Sequence, residues 1–194
     1  HGEVPQLMPY LHLPIQSGSN DVLAAMNRRH TSDVYLAVID KLRAVRPDIA
    51  MSGDFIVGFP GETDRDFAET LQLVNQVGYA SAYSFKYSPR PGTPAATIER
   101  QVPEKVKAER LESLQQLLKS QQFAFNKATE GQIVDVLVER SGGRAGQMAG
   151  RSPYMQAVNF VGDQSQIGQI VPCKLSAARQ NSMSGEIIAI KGAA

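Results

Sequence analysis

Three short apolar runs, each ending in a turn of glycine, serine or proline, constrain this chain more than any other feature. Tyr10-Leu-His-Leu-Pro-Ile15 leads into Gln16-Ser-Gly-Ser-Asn20. Ile49 to Val57 ends in the strand-like Phe55-Ile56-Val57 and turns at Gly58-Phe-Pro-Gly61. Ser81 to Tyr87 is followed by Ser88-Pro-Arg-Pro-Gly-Thr-Pro94. Between these runs the apolar spacing becomes helical. Asp21 to Met26 predicts one short helix. A second is capped by Ser32, carries Val34, Ala37, Val38, Leu42 and Val45 on one face, and stops at Pro47. Thr63 opens a third, with Asp66 three residues on in capping-box geometry; Phe67, Leu71, Val74 and Val77 face inward and Gly78 closes it. Strand and helix in this alternation predict parallel βα units.

A long helix is expected from about Pro103 to Lys127, with Val106, Leu111, Leu114, Leu117 and Leu118 as its apolar stripe. Past Gly131 the texture changes. Ile133 to Val138, Gln156 to Phe160, Ile170 to Leu175 and Glu186 to Ile190 are short β-rich runs separated by glycine and serine, as in a small antiparallel barrel or sandwich. The Gly/Ala-rich Ser141 to Gly150 reads as a turn. The predicted fold class is therefore α/β followed by a small all-β module, divided near Thr129-Glu130-Gly131 into residues 1–130 and 131–194.

With 194 residues, 42% of them hydrophobic and 20% charged, the chain can bury the core of one or two domains. That composition excludes collagen, a highly charged disordered tail and a disulfide scaffold. Twenty Lys and Arg against nineteen Asp and Glu leave +1, so total charge points to no partner. Residues 131–194 hold +2 of it and the preceding part −1. No apolar run approaches the roughly 18 residues of a membrane helix, and no signal-like leader opens the chain. The one cysteine, Cys173, cannot form an internal disulfide; it reads as a buried thiol and fits a reducing, cytoplasmic compartment. A chain that starts with His1 is expected to be a piece of a longer protein.

In parallel βα folds, ligands sit where strands end. At the first end, Gln16, Ser17 and Ser19 offer an amide and two hydroxyls beside Gly18; alone, this reads first as a turn in which Ser19 or Asn20 caps a helix. At the second, Gly58 would let a flat ring approach the backbone, and Asp54 could accept a ribose hydroxyl pair or simply be an exposed charge. No Gly-Lys-Ser/Thr follows and the three-glycine dinucleotide fingerprint is absent, which excludes both common phosphate loops. Lys86 and Arg90 at the third end suit a phosphate or carboxylate, or a solvated loop. His12 reads as a packed core residue, and Arg28 and Arg29 as a solvated face. No zinc-spaced His/Cys cluster or Gly-x-Ser-x-Gly elbow is present.

Four strings in order change that reading: His12-Leu-Pro-Ile-Gln-Ser-Gly-Ser19, Met26-Asn-Arg-Arg-His-Thr31, Asp54-Phe-Ile-Val-Gly-Phe-Pro-Gly-Glu-Thr63 and Tyr87-Ser-Pro-Arg-Pro-Gly-Thr-Pro94. Together they resemble the methylthiotransferases of the radical S-adenosylmethionine superfamily, in their tRNA-modifying branch. The resemblance implies the C-terminal half of a partial TIM-like radical barrel, followed by an RNA-binding TRAM barrel, OB-like, over 131–194. It also implies S-adenosyl-L-methionine and two [4Fe–4S] clusters in a complete enzyme. The six cluster cysteines are missing here, so the piece itself is expected to hold no cluster, and no metal, and to be inactive.

The resemblance further places Gln16, Ser17 and Arg28 near the ribose and methionine part of the cofactor, with the Arg28 guanidinium on its carboxylate. Asp54 would then hold the ribose, and the backbone from Ile56 to Gly58 the adenine. Lys86 and Arg90 are expected where the RNA backbone or target adenosine enters. In the TRAM part, Arg140, Arg144, Arg151 and Lys174, with Tyr154 as an exposed ring and Phe160 in the core, would bind the anticodon stem-loop of a tRNA. The implied reaction adds a methylthio group at C2 of N6-isopentenyladenosine beside the anticodon. Rival readings are a sister enzyme for threonylcarbamoyladenosine, one for a ribosomal-protein aspartate, and a non-enzymatic RNA-binding module. Strand edges that a missing half would cover predict self-association; no membrane partner is expected.

Overall fold

In the computed structural model, which describes residues 1–188, strands β1 (Tyr10–His12), β2 (Ala50–Val57) and β3 (Ser81–Lys86) form one sheet in that order. β2 and β3 run parallel in register from Ser52↔Ser81 to Val57↔Lys86. Gln16 prolongs the β1 edge through a parallel bridge to Phe55. Four helices complete the α/β part: α1 (Asn20–Ala25), α2 (Ser32–Val45), α3 (Asp64–Val77) and α4 (Glu104–Ala128).

Alternation along β2 divides the sheet into two faces. Met51, Phe55 and Val57 join Ile15, Leu23, Tyr35, Ile39, Leu73, Val74, Val77, Tyr79 and Leu114 in a buried core. Asp54 and Ile56 point the other way and are only half-buried. Opposite them in register, Tyr83 and Phe85 on β3 are 61% and 54% exposed. One sheet face is thus packed and the other open.

Local signals explain the helix ends. Ser19 caps α1, and Asn20 instead accepts the backbone N–H of Ser32 at 2.8 Å. Thr31, not the expected Ser32, caps α2 by accepting the Val34 N–H. Both halves of the Thr63/Asp66 capping box form, and Gly78 ends α3 at φ 62°. Of the five residues expected on the inner face of α2, Leu42 packs against the core and the other four are exposed. Tyr35 and Ile39 are buried, whereas Val34, Val38 and Val45 are 55%, 41% and 57% exposed. Both sets have helical spacing; the choice is made by the Tyr35 hydroxyl, which bonds the Leu13 carbonyl and the Tyr79 hydroxyl, each at 2.9 Å.

Strands β4 (Ile133–Ser141), β5 (Gln147–Arg151), β6 (Ala157–Val161), β7 (Ile170–Ala178) and β8 (Met183–Ile187) close a barrel in the order β4-β5-β6-β8-β7. All neighbours are antiparallel except β6 and β8. Val136, Val138, Met148, Val158, Phe160, Cys173, Leu175 and Met183 fill it. Burial pushes the Cys173 thiol up to about 11, which suits an inert packing role.

β5 overlaps the Ser141 to Gly150 stretch that reads as a turn. Its Ala149-Gly150 centre looks like a loop, yet a Cβ on Gly150 would stand 2.2 Å from the Leu137 carbonyl, so glycine here serves a close strand approach. The last strand starts at Met183, three residues before the expected Glu186; Ile190 and Lys191 lie outside the described residues.

Two compact units result: His1–Val4 with Leu11–Gln121, and Pro5–Tyr10 with the chain from Gln122 onward. Their border falls inside α4, ahead of the Thr129–Gly131 boundary expected from texture. The final turns of α4 belong with the barrel because Gln156 Nε2 donates to Asn126 Oδ1 and Thr129 Oγ1, both at 3.0 Å, and Phe125 packs edge-on against Tyr154.

Candidate functional site

The turn after β1 is built by α3. Gln16 holds φ 81°, a left-handed conformation that side-chain-bearing residues rarely adopt. Ladder bonds hold it there: its N–H donates to the Asp54 carbonyl and its carbonyl accepts from the Ile56 N–H, both at 2.9 Å. Ser17 is fully buried, 3.3 Å from the Thr70 hydroxyl. The Gly18 N–H donates to that same hydroxyl at 2.9 Å. A Cβ on Gly18 would meet the Glu69 carbonyl at 2.5 Å, so only glycine lets the turn lie this close to α3. Burial opposes ionisation of Asp66, but hydrogen bonds from Ser19 and Thr63 outweigh it and hold the carboxyl below its ordinary value.

A cleft of about 1030 Å³ opens at the carboxyl ends of β2 and β3. Gln16, Arg28, Asp54, Ile56, Lys86 and Arg90 all line it, together with Met26, Phe59, Phe85 and Tyr87. Six of the eight residues expected to bind at these strand ends therefore meet at one place. Ser17 and Gly58 do not reach its wall. Ser17 is spent on Thr70. The space a Gly58 Cβ would need is taken by Lys107, whose Cγ would be 2.3 Å away, so this glycine at φ 72° packs against a lysine, not a flat ring.

Asp54 has a partner that the sequence did not announce. His12, expected in the core, is on the open face with its side chain 38% exposed; its Nε2 lies 3.5 Å from Asp54 Oδ2 and its Nδ1 3.0 Å from Ser52 Oγ. Lys86 is not a free cation, since Glu104 holds it at 3.2 Å and Lys107 at 2.6 Å. Arg28 and Arg90 have no ion-pair partner among the described residues.

The loop after β2 carries a buried ion pair that the apolar stripe of α4 concealed. Arg110 Nη1 donates to Glu62 Oε2 at 2.7 Å, and its Nη2 to Asp64 Oδ1 at 2.7 Å. Glu62 in turn accepts the Gly58 N–H at 2.7 Å. Burial raises the Glu62 carboxyl above its ordinary value, against the opposing pull of the Gly58 N–H and the Arg110 charge. The pair fixes the loop that leaves β2 for the cleft wall. The available signal was Lys107 and Arg110 at three-residue spacing on a face that their apolar neighbours already mark as inward.

The barrel cations are dispersed. Lys174 pairs in register with Ile133 at one end of β4, whereas Arg140 pairs with Ala149 near the other end, on the order of 20 Å along the strand. Arg144 is exposed between β4 and β5. Arg151 faces Glu139 at 3.5 Å and donates to the Met155 carbonyl at 3.1 Å. Tyr154, expected to be exposed, is half-buried against Phe125 with ring centroids 5.7 Å apart. Phe160 is in the core as expected.

Comparison with known proteins accounts for both units. Residues 3–74 match the Radical SAM superfamily, and residues 127–188 match the TRAM domain. Coproporphyrinogen III oxidase (HemN) from Escherichia coli, described as a radical SAM enzyme, shares the fold at a TM-score of 0.50 and 16% identity, over 75% of this chain and 41% of its own. The fold is thus part of a radical SAM barrel joined to a TRAM β-barrel. Two tRNA-2-methylthio-N(6)-dimethylallyladenosine synthases, from Erythrobacter litoralis and Novosphingobium aromaticivorans, are each 57% identical over 97% and 96% of the chain. The chain belongs to the radical SAM methylthiotransferase family. It spans 42% of the length of each of these relatives.

Proposed function

We propose that this chain is the C-terminal part of a tRNA methylthiotransferase that places a methylthio group on C2 of N6-isopentenyladenosine beside the anticodon. The observation that carries the reading is the convergence of Gln16, Arg28 and Asp54 on one cleft in a chain 57% identical to synthases of that name. TRAM would contribute the grip on the tRNA anticodon stem-loop, through the exposed Arg140, Arg144 and Lys174.

The residues present fit S-adenosyl-L-methionine. Its carboxylate suits the unpaired Arg28, its ribose hydroxyls suit Asp54, and its adenine suits the apolar surface of Ile56. When bound, the cofactor supplies the radical chemistry and the methyl group. The chain's own part is to orient it and keep water out. Gln16 presents its amide from a backbone that ladder bonds hold, and the His12–Asp54 contact orients the carboxylate. The residues do not fit the two iron–sulfur clusters, because the single cysteine is buried in the barrel. Ligands for those clusters would lie outside these 194 residues.

The α/β unit up to Gln121 would serve the cofactor, and the barrel with the final turns of α4 the RNA. The sheet edges left unpaired by β1 and β3 would associate with a second copy or with the rest of the barrel.

The test is an assay of the full-length enzyme on tRNA carrying N6-isopentenyladenosine, tRNA carrying threonylcarbamoyladenosine, and ribosomal protein. Methylthiolation of the first alone is expected, with turnover lost in Arg28→Ala. Modification of only the second or third substrate would overturn the reading.

A further inference from the structure

The open sheet face carries two aromatic rings that the cofactor reading leaves unused. Tyr83 and Phe85, two residues apart on β3, are 61% and 54% exposed. Successive same-face positions on a strand are about 6.6 Å apart, so the rings form one continuous wall. In register beside them stand Asp54 and Ile56, and His12 meets Tyr83 edge-on with centroids 6.4 Å apart. Phe85 lines the cleft together with Ile56, which makes the wall continuous with the proposed cofactor site.

We infer that Tyr83 and Phe85 are the specificity wall for the target adenosine, receiving an uncharged, branched hydrocarbon on its N6 and refusing an anionic substituent there. The inference deepens the function proposed above and rests on it. A flat base with an apolar branch buries both ring surfaces at no cost in unpaired polar groups. A threonylcarbamoyl group would bring a carboxylate against two rings and the Asp54 carboxylate, beside a His12 already turned to Asp54 and a Lys86 already held by Glu104. The nearest unpaired arginines, Arg28 and Arg90, are contributed by loops and not by this sheet face.

The experiment measures the affinity of the full-length enzyme for two anticodon stem-loop RNAs, identical except for N6-dimethylallyladenosine or plain adenosine at the target position. The wild type should favour the substituted RNA by about tenfold or more. Phe85→Ala and Tyr83→Ala should each erase most of that ratio, weakening the substituted RNA far more than the plain one; Phe85→Leu should retain it. Should Phe85→Ala bind neither RNA, Tyr83→Ala decides on the same criterion. An unchanged ratio in the alanine variants overturns the inference, as does a wild type with no preference. If that wild type still methylthiolates the substituted tRNA, only the wall is wrong; if it acts on no tRNA, the proposed function falls as well.

Discussion

Ser19 Oγ donates a 2.5 Å hydrogen bond to Asp66 Oδ1, so the residue that caps α1 also fastens the cleft turn to the first turn of α3. Asp66 simultaneously closes the capping box with Thr63. A single carboxylate therefore holds the ends of two helices and the loop between strand and cleft.

That dependence has a pH signature. The folded pKa of Asp66 lies below the unfolded value of 3.8, so its stabilisation is fully present above that value and is lost as pH falls through the lower folded one. Chemical denaturation between neutral and strongly acidic pH should show this loss. Asp66→Asn should cost about 1–3 kcal/mol at neutral pH and flatten the acid limb.

Gly18→Ala forces a methyl against backbone, 2.5 Å from the Glu69 carbonyl and 2.6 Å from the Thr70 Cα. Neither atom can rotate away. Overpacking of this kind costs about 1–3 kcal/mol, and a lowered denaturation midpoint with an unchanged slope is expected.

Arg110→Leu leaves Glu62 charged in a site that excludes water, and should cost about 3–5 kcal/mol. Adding Glu62→Leu removes the stranded charge and should recover most of that loss. A double variant no more stable than the single one would show that the Gly58 N–H, not the ion pair, dominates this corner.

Gln16→Gly separates strain from binding. Glycine accepts φ 81° freely, so stability should rise by about 1 kcal/mol in thermal unfolding. Affinity for S-adenosylhomocysteine, followed by calorimetric titration, should fall because the cleft loses its amide.

The backbone plan was readable where local chemistry alone decides it. Thr63 with Asp66 announced a helix start and Gly78 its end, and both hold. The inner face of α2 was not readable, because apolar residues surround that helix and two distant partners of Tyr35 select the face. In the barrel, β5 hid behind small residues whose smallness serves a strand contact. At the cleft, Gln16, Arg28 and Asp54 all reach the place that the resemblance implied, although residue chemistry alone read Arg28 as a solvated face and Asp54 as an exposed charge. Ser17 and Gly58 could not be sorted from them, since burial against Thr70 and Lys107 is a property of the tertiary fold.

The Lys86–Glu104–Lys107 cluster bears on how a polyanion would approach. One carboxylate shared by two ammonium groups leaves the mouth of the cleft attractive overall, yet no single phosphate finds a waiting lysine. An incoming strand that recruits Lys86 must loosen its tie to the first turn of α4, while Lys107 stays wedged under Gly58. An anion that meets Lys86 alone must displace Glu104, whereas Arg28 and Arg90 on the same cleft carry no carboxylate to displace.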